Sequence, residues 1–176
     1  YPNNQLIKYN KNISRLLTAE QNQILRVFSD LYDRNNTEKA NWNKIGKIPQ
    51  VINFIVFDEQ ELETLQEKLP LWEMLNQTFE IKIWNKETLC NYFKDSISNL
   101  AQLQPSEDLR FYLALKILND FGGTYAKFNS TPYKPMFELN NKYSIYAGMM
   151  PVNNNNKKII LSQRLIGSSK NNPILN

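Results

Sequence analysis

The residues from Pro49 to Phe57 constrain the fold more than any other part of the sequence. They form a nearly continuous apolar run, Pro-Gln-Val-Ile-Asn-Phe-Ile-Val-Phe, which is rich in β-branched and aromatic side chains. A strand of this composition is buried on both faces, as strands are in parallel sheets that helices cover on both sides. The run therefore predicts a mostly parallel sheet flanked by helices.

The segments around this run alternate between strand and helix patterns, which predicts an α/β fold. The predicted helices are Ile13–Asp33, Asp58–Lys68 with Asp58 as its cap and Pro70 as its end, Lys86–Asn99, and Pro105–Asp120, which Gly122 and Gly123 stop. The other predicted strands are Phe79–Trp84, Thr124–Phe128, Tyr143–Gly148, Lys158–Leu161 and Gln163–Ile166. We expect Val51–Val56 and Thr124–Phe128 to be adjacent, parallel and buried, with the Pro105–Asp120 helix packed on one face.

The composition excludes several classes of site. There is no His in the sequence, so Ser-His-Asp and Cys-His catalysis and His-ligated metals are excluded within this chain. The single Cys90 rules out an internal disulfide and is expected to be a small buried apolar residue.

The 21 basic and 17 acidic residues are scattered, so no nucleic-acid surface is predicted. No apolar run is long enough to span a membrane, and no signal peptide is recognised.

Ligands of open α/β sheets bind beyond the carboxyl ends of the strands. Two strand ends are candidates here: Val56-Phe57-Asp58, and Lys127-Phe128-Asn129. We therefore expect these two tips to border the functional site.

Four segments in this order resemble bacterial GT-A glycosyltransferases that carry an Asp-X-Asp motif, a family that includes the glucosylating domains of clostridial toxins and of effectors. The segments are 47–57, 79–84, Ser106-Glu107-Asp108-Leu109-Arg110, and Gly122-Gly123-Thr124-Tyr125-Ala126-Lys127-Phe128-Asn129. The resemblance implies a GT-A-like nucleotide-sugar-binding domain over residues 47–176, preceded by a helical segment over 1–46. Because the first residue is Tyr1, we expect the chain to be part of a longer protein.

The sequence departs from the family pattern at the positions that hold the donor. The family's Asp-X-Asp becomes Lys127-Phe128-Asn129, and the Trp that stacks on the base is replaced by Val56. The family uses Mn²⁺ or Mg²⁺ at the two acids, and a lysine and an amide do not make a site for a hard cation. We therefore predict that the metal is lost and that no cofactor is bound.

The resemblance assigns roles residue by residue. Lys127 and Asn129 stand at the catalytic positions, and the substrate-binding positions are Val56, Phe57, Glu107, Asp108, Arg110 and Tyr125. Their structural alternatives are plain: Glu107 and Asp108 also suit the first turn of a helix, Arg110 suits an ion pair with one of them, and Lys127 suits a solvated strand end.

Two functions remain open at this point. In the first, the chain transfers a sugar from a nucleotide sugar to a protein or glycan acceptor, with Lys127 replacing the metal. In the second, which we favour, it is a catalytically inactive relative that binds a protein or a ligand. An α/β interaction module unrelated to glycosyltransferases is a third interpretation, and it predicts no cleft shared by Val56, Arg110 and Lys127. The expected location is the cytosol, or a host cell after secretion.

Overall fold

The computed structural model describes residues 18–20, 22–24, 26–27, 47–94, 104–149 and 161–175. The chain divides into two compact units, Tyr1–Asn41 with Met149–Ser162, and Trp42–Gly148 with Gln163–Asn176. In the first unit the residues described between 19 and 27 are helical. The rest of the helix predicted over Ile13–Asp33, like most of the 1–46 segment, lies outside the described residues.

The second unit contains nearly all of the described helices and strands. In chain order they are β1 Val51–Ile55, α1 Glu59–Gln66, α2 Leu69–Leu75, β2 Glu80–Trp84, α3 Lys86–Phe93, α4 Glu107–Phe121, β3 Gly123–Ala126, α5 Phe137–Lys142, β4 Ile145–Met149 and β5 Leu161–Ser168. The alternation of strands and helices confirms the predicted α/β class.

The five strands form one sheet in the order β2-β1-β3-β5-β4. β1 lies between β2 and β3 and is parallel to both, with Ile52 paired to Ile81 on one side and to Thr124 on the other. β5 runs antiparallel to β3, with Tyr125 opposite Ile166. The predicted neighbours β1 and β3 are thus confirmed as adjacent, parallel and buried.

Alternating side chains of β1 and β3 enter two hydrophobic clusters. The first joins Ile55 and Tyr125 to α3 and to the apolar stripe of α4, which includes Leu113, Ile117 and Leu118. The second contains Ile52, Phe54, Val56 and Ala126 together with Leu65 of α1, Trp72 of α2 and Met136. Burial on both faces explains why β1 reads as an uninterrupted apolar run.

Side-chain caps start three of the described helices, α1, α3 and α4. The Asp58 carboxylate accepts a hydrogen bond from the Glu61 backbone N–H, and the Ser106 hydroxyl accepts one from the Leu109 N–H. Asn85 and Thr88 form a reciprocal capping box at the start of α3. These bonds satisfy backbone N–H donors in the first turns of the helices. They fix the start of α1 shortly after the end of β1, and the start of α4 ahead of its buried apolar residues.

The structure corrects three predictions about element boundaries. Pro70 does not end the first helix; it occupies the first turn of a separate helix, α2, where its missing N–H is tolerated. Lys127 and Phe128 follow β3 and begin a turn that the bond from the Ser130 N–H to the Lys127 carbonyl closes. The predicted strand Gln163–Ile166 is part of a longer strand, β5, which runs without a break from Leu161 to Ser168. Residues 158–160 of the strand predicted over Lys158–Leu161 lie outside the described residues.

No helix among the residues listed at the head of this section combines the length and apolar character that a membrane span requires.

Gly123 begins β3 with φ of 104°, a conformation that side-chain-bearing residues rarely adopt, and a Cβ there would lie 2.8 Å from the Val51 carbonyl oxygen. We expect Gly123→Ala to lower the free energy of unfolding by about 2 kcal/mol or more, through backbone strain and the clash with β1. Urea denaturation would measure the loss. Thr131→Ala, at an exposed position of the following loop, is the control and should change stability by less than about 0.5 kcal/mol. A Gly123→Ala protein as stable as this control would contradict the prediction.

Candidate functional site

The site is defined by the topology of the sheet. The chain passes from β1 to β2 on one side and later to β3 on the other, so the strand order reverses at β1. A crevice opens beyond the carboxyl ends of the strands at such a reversal, and this crevice is where open α/β sheets bind their ligands. The strands at this reversal end in the tips Val56-Phe57-Asp58 and Lys127-Phe128-Asn129, which the sequence analysis expects to border the site, and the space between these tips is called the crevice.

The guanidinium of Arg110 lies between these two tips. It is 4.4 Å from the ring centroid of Phe57, which follows β1, and 5.0 Å from that of Phe128, which follows β3. Only 3% of the Arg110 residue is exposed. Contact with aromatic faces stabilises a buried guanidinium. The two rings and the cation therefore pack together between the strand ends.

Hydrogen bonds attach Arg110 to both β1 and α1. Its Nη1 donates to the Ile55 carbonyl oxygen at 2.7 Å and to Glu61 Oε2 at 3.0 Å, and its Nη2 donates to Glu61 Oε1. Glu61 also accepts a bond from the Phe57 backbone N–H at 2.8 Å. Both oxygens of the Glu61 carboxylate and both terminal nitrogens of Arg110 are therefore engaged within the protein.

A second ion pair, between Lys127 and Glu107, lies on the Nε side of Arg110. Lys127 Nζ lies 2.8 Å from Glu107 Oε2, and Glu107 Oε1 lies 3.7 Å from Arg110 Nε. The four charges alternate in sign from Glu61 through Arg110 and Glu107 to Lys127. Two acids face two cations, so the cluster has no net charge.

The structure brings four of the predicted site residues together: Phe57, Glu107, Arg110 and Lys127 form this cluster. Val56 does not join them. Its side chain is 2% exposed and packs in the second hydrophobic cluster, and its N–H donates to the Trp84 carbonyl. A cleft lined jointly by Val56, Arg110 and Lys127 is therefore not formed by these side chains, as the third interpretation, an interaction module unrelated to glycosyltransferases, predicts.

The remaining predicted residues lie around the cluster. Tyr125 is 1% exposed, and burial raises the pKa of its phenol above the ordinary value, although the nearby charge of Arg110 acts in the opposite direction. It is therefore a neutral side chain of the first hydrophobic cluster. Asp108 and Asn129 are exposed on the surface.

The sequence analysis missed Glu61 and Phe128 as members of the site. Glu61 stands three residues after Asp58 in a capping pattern, so a place in the first turn of a helix explains this acid locally. A signal was present in α4, where Arg110 shares one helix face with Leu113, Ala114 and Ile117, all buried. A cation on the apolar face of a helix needs an acid as partner, and α1 supplies it as Glu61.

An open depression adjoins the cluster between α3 and α4. It holds about 290 Å³ of empty space, part of it open to solvent, and its lining includes Phe57, Leu89, Cys90, Leu109 and Leu113, with Lys86 at its edge. The depression contributes apolar surface beside the charged cluster.

Comparisons with known proteins give limited similarity. No protein-family model matches the chain, and no curated protein matches it. Among solved structures it is similar to the PaToxG glycosyltransferase, with a TM-score of 0.49 and 15% identity, over 88% of this chain and 66% of that one. It is also similar to the catalytic domain of alpha-toxin from Clostridium novyi, with a TM-score of 0.44 and 12% identity, over 98% of this chain and 64% of that one. The chain thus spans about two thirds of the length of these structures.

The buried pair of Arg110 and Glu61 should be necessary for stability. Glu61→Gln leaves the guanidinium without its counter-charge, and we expect a loss of about 3–5 kcal/mol in the free energy of unfolding. Glu80→Gln is the matched control, because Glu80 pairs with Lys82 at 3.5 Å on the surface and should lose less than about 1 kcal/mol. Chemical denaturation measures both. Equal losses in the free energy of unfolding for the two substitutions would show that the buried pair is not necessary for stability.

Proposed function

We propose that this chain is a glycosyltransferase-like domain of the GT-A type that does not carry out metal-dependent sugar transfer and acts instead as a binding module. The order of the four sequence motifs supports the assignment to the GT-A type. One observation carries the functional part: Lys127, at the tip where the family has an acid, lies 2.8 Å from Glu107. The position that would hold a metal ion is held by an internal ion pair.

The electrostatics of the crevice explain why this arrangement disfavours metal-dependent transfer. A divalent ion assists transfer by neutralising the diphosphate that leaves with the nucleotide, and it needs carboxylate oxygens at the strand tip. In this crevice Glu61 is bound to Arg110, and Glu107 is bound to Lys127. Neither acid has a free charge with which to hold a cation.

The groups that would hold a donor sugar and its base are also engaged elsewhere. The terminal nitrogens of Arg110 bind the Ile55 carbonyl and Glu61, so a sugar hydroxyl would have to displace an intramolecular bond. Val56 is enclosed in the core and presents no flat surface on which a base could stack. A protein or glycan partner bound over the strand tips requires neither group, which supports a binding role.

A nucleotide-sugar screen tests the proposal. Adding UDP, GDP or their sugar conjugates with Mn²⁺ should leave the melting temperature unchanged, since a ligand at 100 times its Kd would stabilise the fold by about 2.7 kcal/mol and shift the melting temperature visibly. Hydrolysis of the sugar nucleotides should not rise when Mn²⁺ replaces EDTA. Calorimetric titration with Mn²⁺ should show no saturable site at Asn129.

The double variant Lys127→Asp with Asn129→Asp is the control for this screen. It places two carboxylates at the strand tip and should gain measurable Mn²⁺ binding, which shows that the titration can detect a metal site. It should not gain turnover, because Val56 still offers no surface to the base. Mn²⁺-dependent hydrolysis by the unmodified protein would refute the proposal.

A second candidate function is metal-independent transfer in which Lys127 stabilises the leaving diphosphate. The observation in its favour is the placement of Lys127 Nζ at the crevice, with a side chain that is 17% exposed and an ion-pair partner, Glu107, that is 53% exposed. A fixed cation beside a leaving group can stabilise the charge that develops there. Movement of Glu107 into solvent would release Lys127 for this role.

This candidate makes a separate prediction. Nucleoside diphosphate should bind in EDTA, and Lys127→Ala should weaken that binding by about 1.5–3 kcal/mol, as expected for the loss of a charge-assisted contact. Lys116→Ala, on the exposed side of α4, removes the same charge away from the crevice and should have little effect. Sugar-nucleotide hydrolysis in EDTA that depends on Lys127 would decide for this function and against the binding module.

A further inference from the structure

The Nε–H of Arg110 is buried and has no hydrogen-bond partner among the described residues. Its neighbour in the crevice is Glu107 Oε1, but their separation of 3.7 Å is longer than a hydrogen bond. An unsatisfied buried donor on a charged group is costly, and the other donors of this guanidinium that contact protein all have close acceptors. The Nε–H of Arg110 can therefore donate to a further acceptor, because Glu107 lies too far away to accept this hydrogen bond.

The Glu107 carboxylate occupies the space between two cations. One oxygen faces Arg110 Nε and the other binds Lys127 Nζ. The side chains of Arg110 and Lys127 are 4% and 17% exposed, whereas that of Glu107 is 53% exposed. The two cations therefore belong to the protein interior, and the acid between them reaches in from the surface.

The cations and the acid also differ in how firmly the fold holds them. Arg110 is fixed by Ile55, Glu61 and two aromatic rings, and the Lys127 backbone N–H donates to the Arg164 carbonyl of β5 at 2.9 Å. Glu107 is the first residue of α4, and a half-exposed ion pair at a helix end contributes little stability. Its carboxylate can therefore be exchanged for another anion while the cations remain in place.

We propose that Arg110 Nε and Lys127 Nζ form a binding site for a phosphoryl group, and that Glu107 is its internal, competing occupant. A phosphate has more acceptor oxygens and more charge than a carboxylate, so it can accept from Nε and Nζ at the same time. The first turn of α4 adds positive potential beside the site. The inference deepens the proposed function, on which it rests, by naming a ligand group that the crevice can bind without a metal ion.

Titration calorimetry with pyrophosphate, in the absence of metal, tests this site. The unmodified chain should bind weakly. Glu107→Gln removes the competing charge and should bind roughly tenfold more tightly, a gain equivalent to about 1.4 kcal/mol. The gain should shrink as salt rises, since the site remains partly open to solvent.

Two controls make the result specific. Glu87→Gln removes a first-turn acid from the neighbouring helix α3 and changes net charge and helix potential in the same way, so it should leave pyrophosphate affinity unchanged. Combining Glu107→Gln with Lys127→Gln should abolish the gain. If Glu107→Gln binds no better than Glu87→Gln, the site is refuted.

Glu107→Asp provides a second variant in case the first is poorly folded. It keeps the charge at the helix start but shortens the side chain by one methylene, so its carboxylate should reach the two cations less well and pyrophosphate should bind more tightly than in the unmodified chain. Melting curves of each variant establish that it is folded. Affinity equal to that of the unmodified chain in folded Glu107→Asp would count against internal competition.

Comparing ligands identifies the source of the phosphoryl group. UDP binding to Glu107→Gln more tightly than pyrophosphate indicates a nucleotide, and equal affinities indicate recognition of the phosphoryl group alone; either result supports the site. Failure here is distinguishable from failure of the proposed function. The former is an absence of metal-free pyrophosphate binding in the variants, and the latter is Mn²⁺-dependent turnover by the unmodified chain.

Discussion

The buried guanidinium of Arg110 is the group on which the functional end of this sheet depends. It binds the last carbonyl of β1, the carboxylate of Glu61 in α1, and the faces of Phe57 and Phe128, which follow the two central strands. A charge in such a place is tolerated only when its counter-ion and its hydrogen bonds are supplied by the fold. Three separate segments of the chain must therefore meet at one point, and their meeting defines the crevice between β1 and β3.

The same interaction explains the chemistry of the crevice. Because Glu61 neutralises Arg110, and Glu107 neutralises Lys127, positive and negative charges are matched at the two strand tips. A crevice that binds a metal–diphosphate complex needs free acids for the ion or free cations for the phosphates. This one has its acids and cations bound to each other. The exposed position of Glu107 makes that pairing the weakest contact in the cluster, and it is the contact through which an anionic ligand could enter.

The parts of the site that sequence analysis predicted are those that depend on local pattern. The two strand tips followed from apolar runs and from the rule that ligands bind beyond the carboxyl ends of parallel strands. The absence of a carboxylate at Lys127 and Asn129 is visible in the sequence alone. The analysis missed Glu61, because an acid three residues after a capping Asp has a sufficient local explanation. It also treated Val56 as a ligand-facing residue, whereas the end of a doubly buried strand places that side chain in the core.

The sequence by itself determined the α/β class, the buried central strand, the helix cap at Asp58, the helix starts at Lys86 and near Pro105, and the stop at Gly122 and Gly123. Each of these depends on side-chain periodicity or on hydrogen bonds within a few residues, and such interactions are contained in a short segment. Only the tertiary structure decided the partners of the charged groups. Glu61 and Arg110 are 49 residues apart in the chain, and Lys127 reaches Glu107 across the end of the sheet. Whether a charge is free to act on a ligand depends on its distance from every other charge, and the folding of distant segments sets those distances.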